Sequence, residues 1–170
     1  TCFEYGTSGL RYHRIPVNAP LEPTNAYSAS KACASIAFTQ WAQQHGMSLR
    51  ILRLFQVYGD GELDSRLWPT IKYHALSGSD LNLTLGEQIR DFSNVSEVAA
   101  KIANHVLRLS EEPGIGISTY NIGSGTAMTV RQFSEFWWQY WNASGKINYG
   151  AISYRPNEVM RYLPELSLPS

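Results

Sequence analysis

Tyr27-Ser28-Ala29-Ser30-Lys31 opens a segment of helical periodicity that begins near residue 26 and runs to about residue 44, and the reading of these five residues decides the fold. On a helix, Tyr27 and Lys31 stand four apart and face the same side. An ammonium beside a phenol favours the phenolate, so such a pair can exchange a proton with a substrate hydroxyl or carbonyl. Lys31 could also hydrogen-bond the hydroxyls of a cofactor ribose. A solvated helix face carries the same pair as readily, so the surrounding sequence has to decide.

Working outward, Ile36, Ala37, Trp41 and Ala42 are expected on the inner face of this helix, and Gly46 is expected to stop it. Upstream, Thr1-Cys2-Phe3 reads as the last turn of a strand, and residues 4–25, rich in Gly, Pro and Asn, read as a long surface loop. Downstream, residues 48–55 read as a buried strand broken by Gly59-Asp60-Gly61, residues 67–76 as a short helix, and residues 81–85 as a half-buried strand. Val98, Ile102, Val106 and Leu109 predict a helix over 95–109 with one apolar face. A strand over 118–122 follows, then a helix over 129–141 capped by Thr129, whose stripe of Val130, Phe133, Trp137, Tyr140 and Trp141 reads as core. A last short strand is expected near 146–150. Helices alternating with short strands predict an α/β architecture with parallel strands and no internal repeat.

Bulk composition narrows the function. A chain of 170 residues, 44% hydrophobic and 16% charged, can bury a sizeable core. With 14 Lys plus Arg against 14 Asp plus Glu, it has neither the basic stripe that nucleic acid requires nor a polybasic membrane patch. Any anionic ligand must therefore be held by a few placed arginines. Two cysteines, Cys2 and Cys33, are too few for a disulfide framework and point to a reducing compartment, with the cytoplasm the expected location. No apolar run has the length of a membrane span, and the first residues carry no basic-then-apolar signal pattern. His13, His45, His74 and His105 lack metal-ligand spacing, so no metal is expected.

Several stretches, in order, carry a family resemblance. Tyr27-Ser28-Ala29-Ser30-Lys31 resembles the active-site motif of the short-chain dehydrogenase/reductases, and the later motifs resemble their extended branch, the NAD-dependent epimerase/dehydratase family. Thr1 to Gly6 is similar to a strand-end segment ending in Tyr-Gly, which places the family's catalytic hydroxyl on Thr1. Leu52-Arg53-Leu54-Phe55-Gln56-Val57-Tyr58-Gly59 resembles a strand-to-loop motif in which Phe55 would lie near the nicotinamide and Gln56 near the sugar nucleotide. Gly86-Glu87-Gln88-Ile89-Arg90-Asp91-Phe92 is similar to the Arg-Asp-Phe/Tyr motif, making Arg90 a ligand of the diphosphate, whose oxygens suit the planar fork of a guanidinium. Tyr120-Asn121-Ile122-Gly123-Ser124-Gly125 resembles a structural signature, and Tyr154-Arg155-Pro156 resembles a late motif that makes Arg155 a second phosphate candidate.

The resemblance implies the C-terminal part of a Rossmann-like doubly wound parallel sheet plus a small α/β substrate-binding region. Residues 1–60 would belong to the cofactor-binding domain and 61–170 mainly to the substrate-binding region, with some segments returning to the first. It also implies NAD or NADP as cofactor, a nucleotide-sugar substrate, and homodimerisation through the helix beginning near Tyr27. Tyr27 and Lys31 would bind the cofactor as well as act with Thr1 in catalysis. The glycine-rich dinucleotide loop of the family is absent, the start without Met reads as a cut, and residues 166–170 end short of the expected closing segment. A fragment without that loop is expected to be inactive alone. Where the family's 4,6-dehydratases carry Asp-Glu after the Thr, this sequence has Cys2-Phe3, which disfavours dehydration and leaves a nucleotide-sugar epimerase or 4-ketoreductase. The rival is a non-catalytic nucleotide-binding or interaction module on the same fold.

Overall fold

The computed structural model of the chain describes residues 1–111 and 116–166, so the closing residues 167–170 lie outside the described part. Two 3-10 turns, Cys2–Tyr5 and Thr7–Arg11, lead through an irregular segment to helix α1, Ala26–Gln44. There follow strands β1 (Leu49–Leu54) and β2 (Gln56–Tyr58), helix α2 (Leu67–Ser77), strands β3 (Leu81–Leu83), β4 (Ile89–Arg90) and β5 (Phe92–Asn94), and helix α3 (Val95–Glu111). The chain continues with strands β6 (Ile117–Ile122) and β7 (Met128–Thr129), helix α4 (Val130–Tyr140), and strands β8 (Ile147–Tyr149) and β9 (Arg161–Tyr162).

The architecture is α/β with mainly parallel strands. β1 pairs with β6 in parallel from Leu49↔Ile117 to Leu54↔Ile122. β2 pairs with β5 and β3 with β8, also in parallel. β4 is the centre of a small mixed sheet between antiparallel β7 and parallel β9. Because side chains alternate along a strand, the β1–β6 pair serves two layers. Arg50 reaches the carbonyl of His105 on α3 from one face. Arg53 and Asn121, of the opposite parity, reach the N-terminal turns on the other face. Helices on both sides of parallel strands make a doubly wound arrangement.

Helix α1 begins where Asn25 caps it: its side chain accepts from the Ser28 amide at 2.9 Å while Ser28 Oγ accepts from the Asn25 amide at 3.2 Å. Gly46, at φ +61°, ends it as expected. Its inner face differs from expectation. Ser28, Ala32 and Ala42 are buried, whereas Ile36 is 56% and Trp41 51% exposed. Small side chains let the helix axis lie close to the sheet, and large apolar residues all round the helix gave the wrong stripe. In α3 the inward row is Val98, Ile102, His105 and Leu109, with Val106 facing out. In α4 Tyr140 is exposed, while Phe133, Trp137 and Trp141 pack with Trp138, Tyr58 and Trp68 into the second core. Each aromatic ring fully buried there contributes about 1.5–3 kcal/mol.

The N-terminal segment overturns two expectations. Thr1-Cys2-Phe3 leads into a 3-10 turn and is no strand end, and residues 4–25 are no mere surface loop, since Tyr5 and Ile15 are fully buried. The reason is a polar network that supplies the loop with internal partners. Arg53, 6% exposed, donates from Nε to Glu4 Oε2 at 3.2 Å and from one terminal nitrogen to Tyr5 Oη and the Val17 carbonyl, each at 3.0 Å. Tyr5 Oη donates to Asn121 Oδ1 at 2.7 Å, and Asn121 Nδ2 donates to the Ile15 carbonyl at 2.8 Å. Ser35 of α1 donates to Glu4 Oε2 at 2.7 Å. Gly6, at φ +49°, lies so close to the Glu22 carbonyl that a Cβ would fall 1.7 Å from its oxygen, so the residue after Tyr5 can only be glycine.

A second fastening holds β4–β5 to the loop after β6. Asp91 is fully buried; Oδ1 accepts from the Ser124 amide at 2.6 Å and from Ser93 Oγ at 3.1 Å, and Oδ2 accepts from the Gly125 amide at 2.7 Å. A Cβ on Gly123 would meet Asp91 Oδ2 at 2.8 Å, which explains the glycine there.

Two substitutions measure these fastenings. Glu4→Leu leaves the Arg53 guanidinium buried without its counter-charge and is expected to cost about 3–5 kcal/mol, read as a lowered urea midpoint. A loss below about 1 kcal/mol would show that the pair does not hold the N-terminal segment. Asp91→Ala strands two amides and a hydroxyl, and a loss of at least about 3 kcal/mol is expected in the same assay.

Candidate active site

Tyr27 stands in the first turn of α1 and Lys31 one turn later, both exposed, with Lys31 Nζ 5.7 Å from the centroid of the Tyr27 ring. The Asn25 cap sets where this turn begins and so where the phenol points. Opposite, β1 ends at Leu54 and delivers Phe55 and Gln56 into the β1–β2 junction. The Glu4–Arg53–Tyr5 network brings the N-terminal turn to the same place. Thr1, Phe3, Tyr27, Lys31, Phe55 and Gln56 thereby line one cleft of about 390 Å³. The four residues expected at the catalytic and cofactor end, Thr1, Tyr27, Lys31 and Phe55, come together there with Gln56, expected at the sugar nucleotide, although they lie on three separate segments.

A second cleft, of about 440 Å³, shares Phe3, Phe55 and Gln56 with the first and continues to Arg90, Val159 and Tyr162. Arg90 is held in a fixed orientation: its guanidinium donates to the carbonyls of Ile89 and Val159 and lies 3.5 Å from Glu158 Oε1. Burial draws this guanidinium down from its ordinary range, opposed by Glu158. Arg155 is not brought to either cleft. It is exposed before the turn at 156–157, its carbonyl accepting from the Glu158 amide at 3.1 Å. Its neighbour Tyr154 donates to Glu87 Oε2 at 3.1 Å and accepts from the Glu87 amide, so this motif clasps the loop before β4.

Three features escaped the sequence reading. Arg66, half exposed and 3.4 Å from Glu62, lines the Tyr27 cleft as a further cation. Nothing in its loop marks it. Phe3 lines both clefts, and Cys2 beside it is a buried thiol that desolvation pushes up to about 12, which leaves it protonated and unreactive at neutral pH. Among the described residues, neither cleft is lined by an Asp or Glu. Among the described residues no group of three His, Cys, Asp or Glu side chains is placed to hold a metal ion. Among the described residues, no helix is long and apolar enough to cross a membrane.

Comparison with known proteins follows the same lines. A UDP-glucose 4-epimerase of Corynebacterium glutamicum is 29% identical over 136 residues, 71% of this chain and 40% of that protein. A dTDP-glucose 4,6-dehydratase of Streptomyces antibioticus is 28% identical over 131 residues, 76% of this chain and 37% of that protein. The chain thus spans about two fifths of the length of these curated relatives. In fold it resembles the crystal structure of a Thermotoga maritima UDP-glucose 4-epimerase with UDP-glucose, at a TM-score of 0.79 and 20% identity over 96% of this chain and 51% of that one. The profile of the NAD dependent epimerase/dehydratase family matches residues 1–123, most of the chain, and the chain belongs to that family.

Proposed function

We propose that this chain carries the acid/base and substrate side of an NAD(P)-dependent nucleotide-sugar epimerase or 4-ketoreductase. The observation that carries the reading is the convergence of Thr1, Tyr27, Lys31, Phe55 and Gln56 on one cleft. In this division of labour, residues 1–60 and the returning strand β6 belong to the cofactor half, and 61–170 mainly to the substrate half; the parallel β1–β6 pairing supports it.

The lining suits the nicotinamide end of the cofactor: a phenol, an ammonium and an aromatic wall at Tyr27, Lys31 and Phe55. When bound, NAD(P) supplies the acceptor and donor of hydride at the sugar carbon. Tyr27 Oη takes the proton from the sugar hydroxyl and later returns one. The Lys31 ammonium, 5.7 Å from the centre of the Tyr27 ring, is the cation beside the phenol, and the Thr1 hydroxyl bonds the same sugar oxygen and keeps it aimed at Tyr27. Gln56, between the two clefts, touches the sugar nucleotide, and Arg90 offers its already oriented fork to the diphosphate. Elimination of water would need a carboxylic acid and base at the sugar, and the absence of a carboxylate from the lining of both clefts supports epimerisation or ketoreduction instead. The exposed Ile36, Phe38 and Trp41 on α1 support the homodimer, and the unpaired Cys2 and Cys33 support the cytoplasm.

The test is turnover by the full-length enzyme on a panel of nucleotide sugars and their 4-keto forms, following nicotinamide absorbance and product stereochemistry. Epimer formed without net change in the cofactor would identify an epimerase, and stoichiometric oxidation of the reduced cofactor a ketoreductase. Tyr27→Phe is expected to lower kcat by about 10²- to 10⁴-fold with little change in KM. Unchanged kcat in that variant would remove Tyr27 from the chemistry, and no turnover of any panel member would favour a binding module.

A further inference from the structure

Tyr27, Lys31 and Ser35 follow one another at steps of four along α1, so one face of the helix carries all three side chains. Tyr27 and Lys31 line the smaller cleft, whereas Ser35 lines neither. Half-buried, Ser35 donates from Oγ to Glu4 Oε2 at 2.7 Å. Glu4 closes the turn that follows Thr1, its amide donating to the Thr1 carbonyl at 3.3 Å. Among the described residues this is the one side-chain hydrogen bond between α1 and the turn Cys2–Tyr5. The other anchors of the turn lead elsewhere: Arg53 of β1 holds Glu4 and Tyr5, and the Tyr162 hydroxyl of β9 reaches the Cys2 and Gly6 carbonyls. The helix has its own supports in the Asn25 cap and the buried Ala32 and Ala42. Without the Ser35 hydroxyl both elements would stay folded, but no polar tether would fix one against the other.

We propose that Ser35 is a positioning residue that, through Glu4, sets the alignment of the Thr1 hydroxyl with the Tyr27 phenol. The inference rests on the oxidoreduction reading above, in which both groups bond one sugar oxygen. Two groups on separate elements meet the same oxygen only if those elements keep a fixed separation, and a misplacement of about 1 Å can cost about 10²-fold in rate. Ser35 acts from about 12 Å along the helix axis from Tyr27 and so touches no substrate. A hydroxyl suits the task. Its bond to a carboxylate is charge-assisted and short, and a side chain with a single χ angle makes the tether stiff.

The test uses the full-length enzyme and the nucleotide sugar on which it turns over. Ser35→Ala should lower kcat by about 10- to 100-fold with KM within about twofold of the parent. Its urea midpoint should stay nearer the parent's than that of Glu4→Leu, because Arg53 still holds the carboxylate. Ser35→Thr, which keeps the hydroxyl, should recover most of the lost kcat. Thr1→Val should lower kcat by itself, and adding Ser35→Ala to it should cost only a few fold more, since the alignment has already lost one member. Unchanged kcat in Ser35→Ala, an undiminished loss in the Thr1→Val background, no recovery in Ser35→Thr, or a midpoint as low as that of Glu4→Leu would overturn the proposal. Impaired Thr1→Val and Tyr27→Phe beside a fully active Ser35→Ala would remove Ser35 alone. Normal turnover by Thr1→Val and Tyr27→Phe, or no turnover of any nucleotide sugar by the parent, would remove the catalytic reading and Ser35 with it.

Discussion

The buried ion pair between Glu4 and Arg53 is the constraint on which the site depends. Burying two charges is costly, and here the cost is offset because the surrounding polar atoms are matched: Ser35 and Arg53 on the carboxylate, Tyr5 and the Val17 carbonyl on the guanidinium. The pair joins the N-terminal turn, strand β1 and helix α1. Because Thr1 and Phe3 ride on that turn and Tyr27 on that helix, their common cleft follows from a contact that takes no part in chemistry. Asn121 extends the network to Ile15 and to the segment after β9, so the two ends of the described chain are held by one side chain of β6.

A comparable economy governs the second cleft. Asp91 stands between Arg90, which faces the cleft, and Phe92, which stacks on Phe133 with centroids 4.0 Å apart. One short motif thus presents a cation, anchors the loop after β6 through two amides, and joins the aromatic core under α2 and α4. The fork of Arg90 is oriented by its own backbone neighbours and Glu158, so its direction is set before any ligand arrives. Such pre-orientation lowers the ordering cost of binding an anion. Tyr154 and Glu87 brace the approach to β4 in the same way.

The two clefts meet at Phe3, Phe55 and Gln56, and their character changes there. One side offers hydroxyls and an ammonium; the other begins with aromatic surface and ends at a guanidinium. A ligand with a reactive ring at one end and a diphosphate at the other would match that gradient. The loop before α1 is therefore part of the site as much as of the scaffold, which is why its Gly- and Pro-rich composition misleads as to burial.

Much of this was legible in the residues alone. The four helices, strands β1, β3, β6 and β8, and the α/β class could be read from local pattern, because periodicity and caps are properties of neighbouring residues, and the candidate set Thr1, Tyr27, Lys31, Phe55, Gln56 and Arg90 came from the resemblance of short motifs to a family. What lay beyond reach depended on partners distant in sequence. The inner face of α1 is chosen by how closely the β1–β6 pair allows a helix to approach, so small residues turn inward and Ile36 and Trp41 do not. Arg53 reads as one more polar residue in a strand until Glu4, 49 positions away, is seen beside it. Arg66 at the Tyr27 cleft, Arg155 away from both clefts, and Phe3 at their junction are likewise results of packing. The sequence determined most of the elements and which groups are candidates for chemistry; only the tertiary structure decided which of those groups share a cleft, because charge pairing and close packing act through space between segments that local pattern treats as independent.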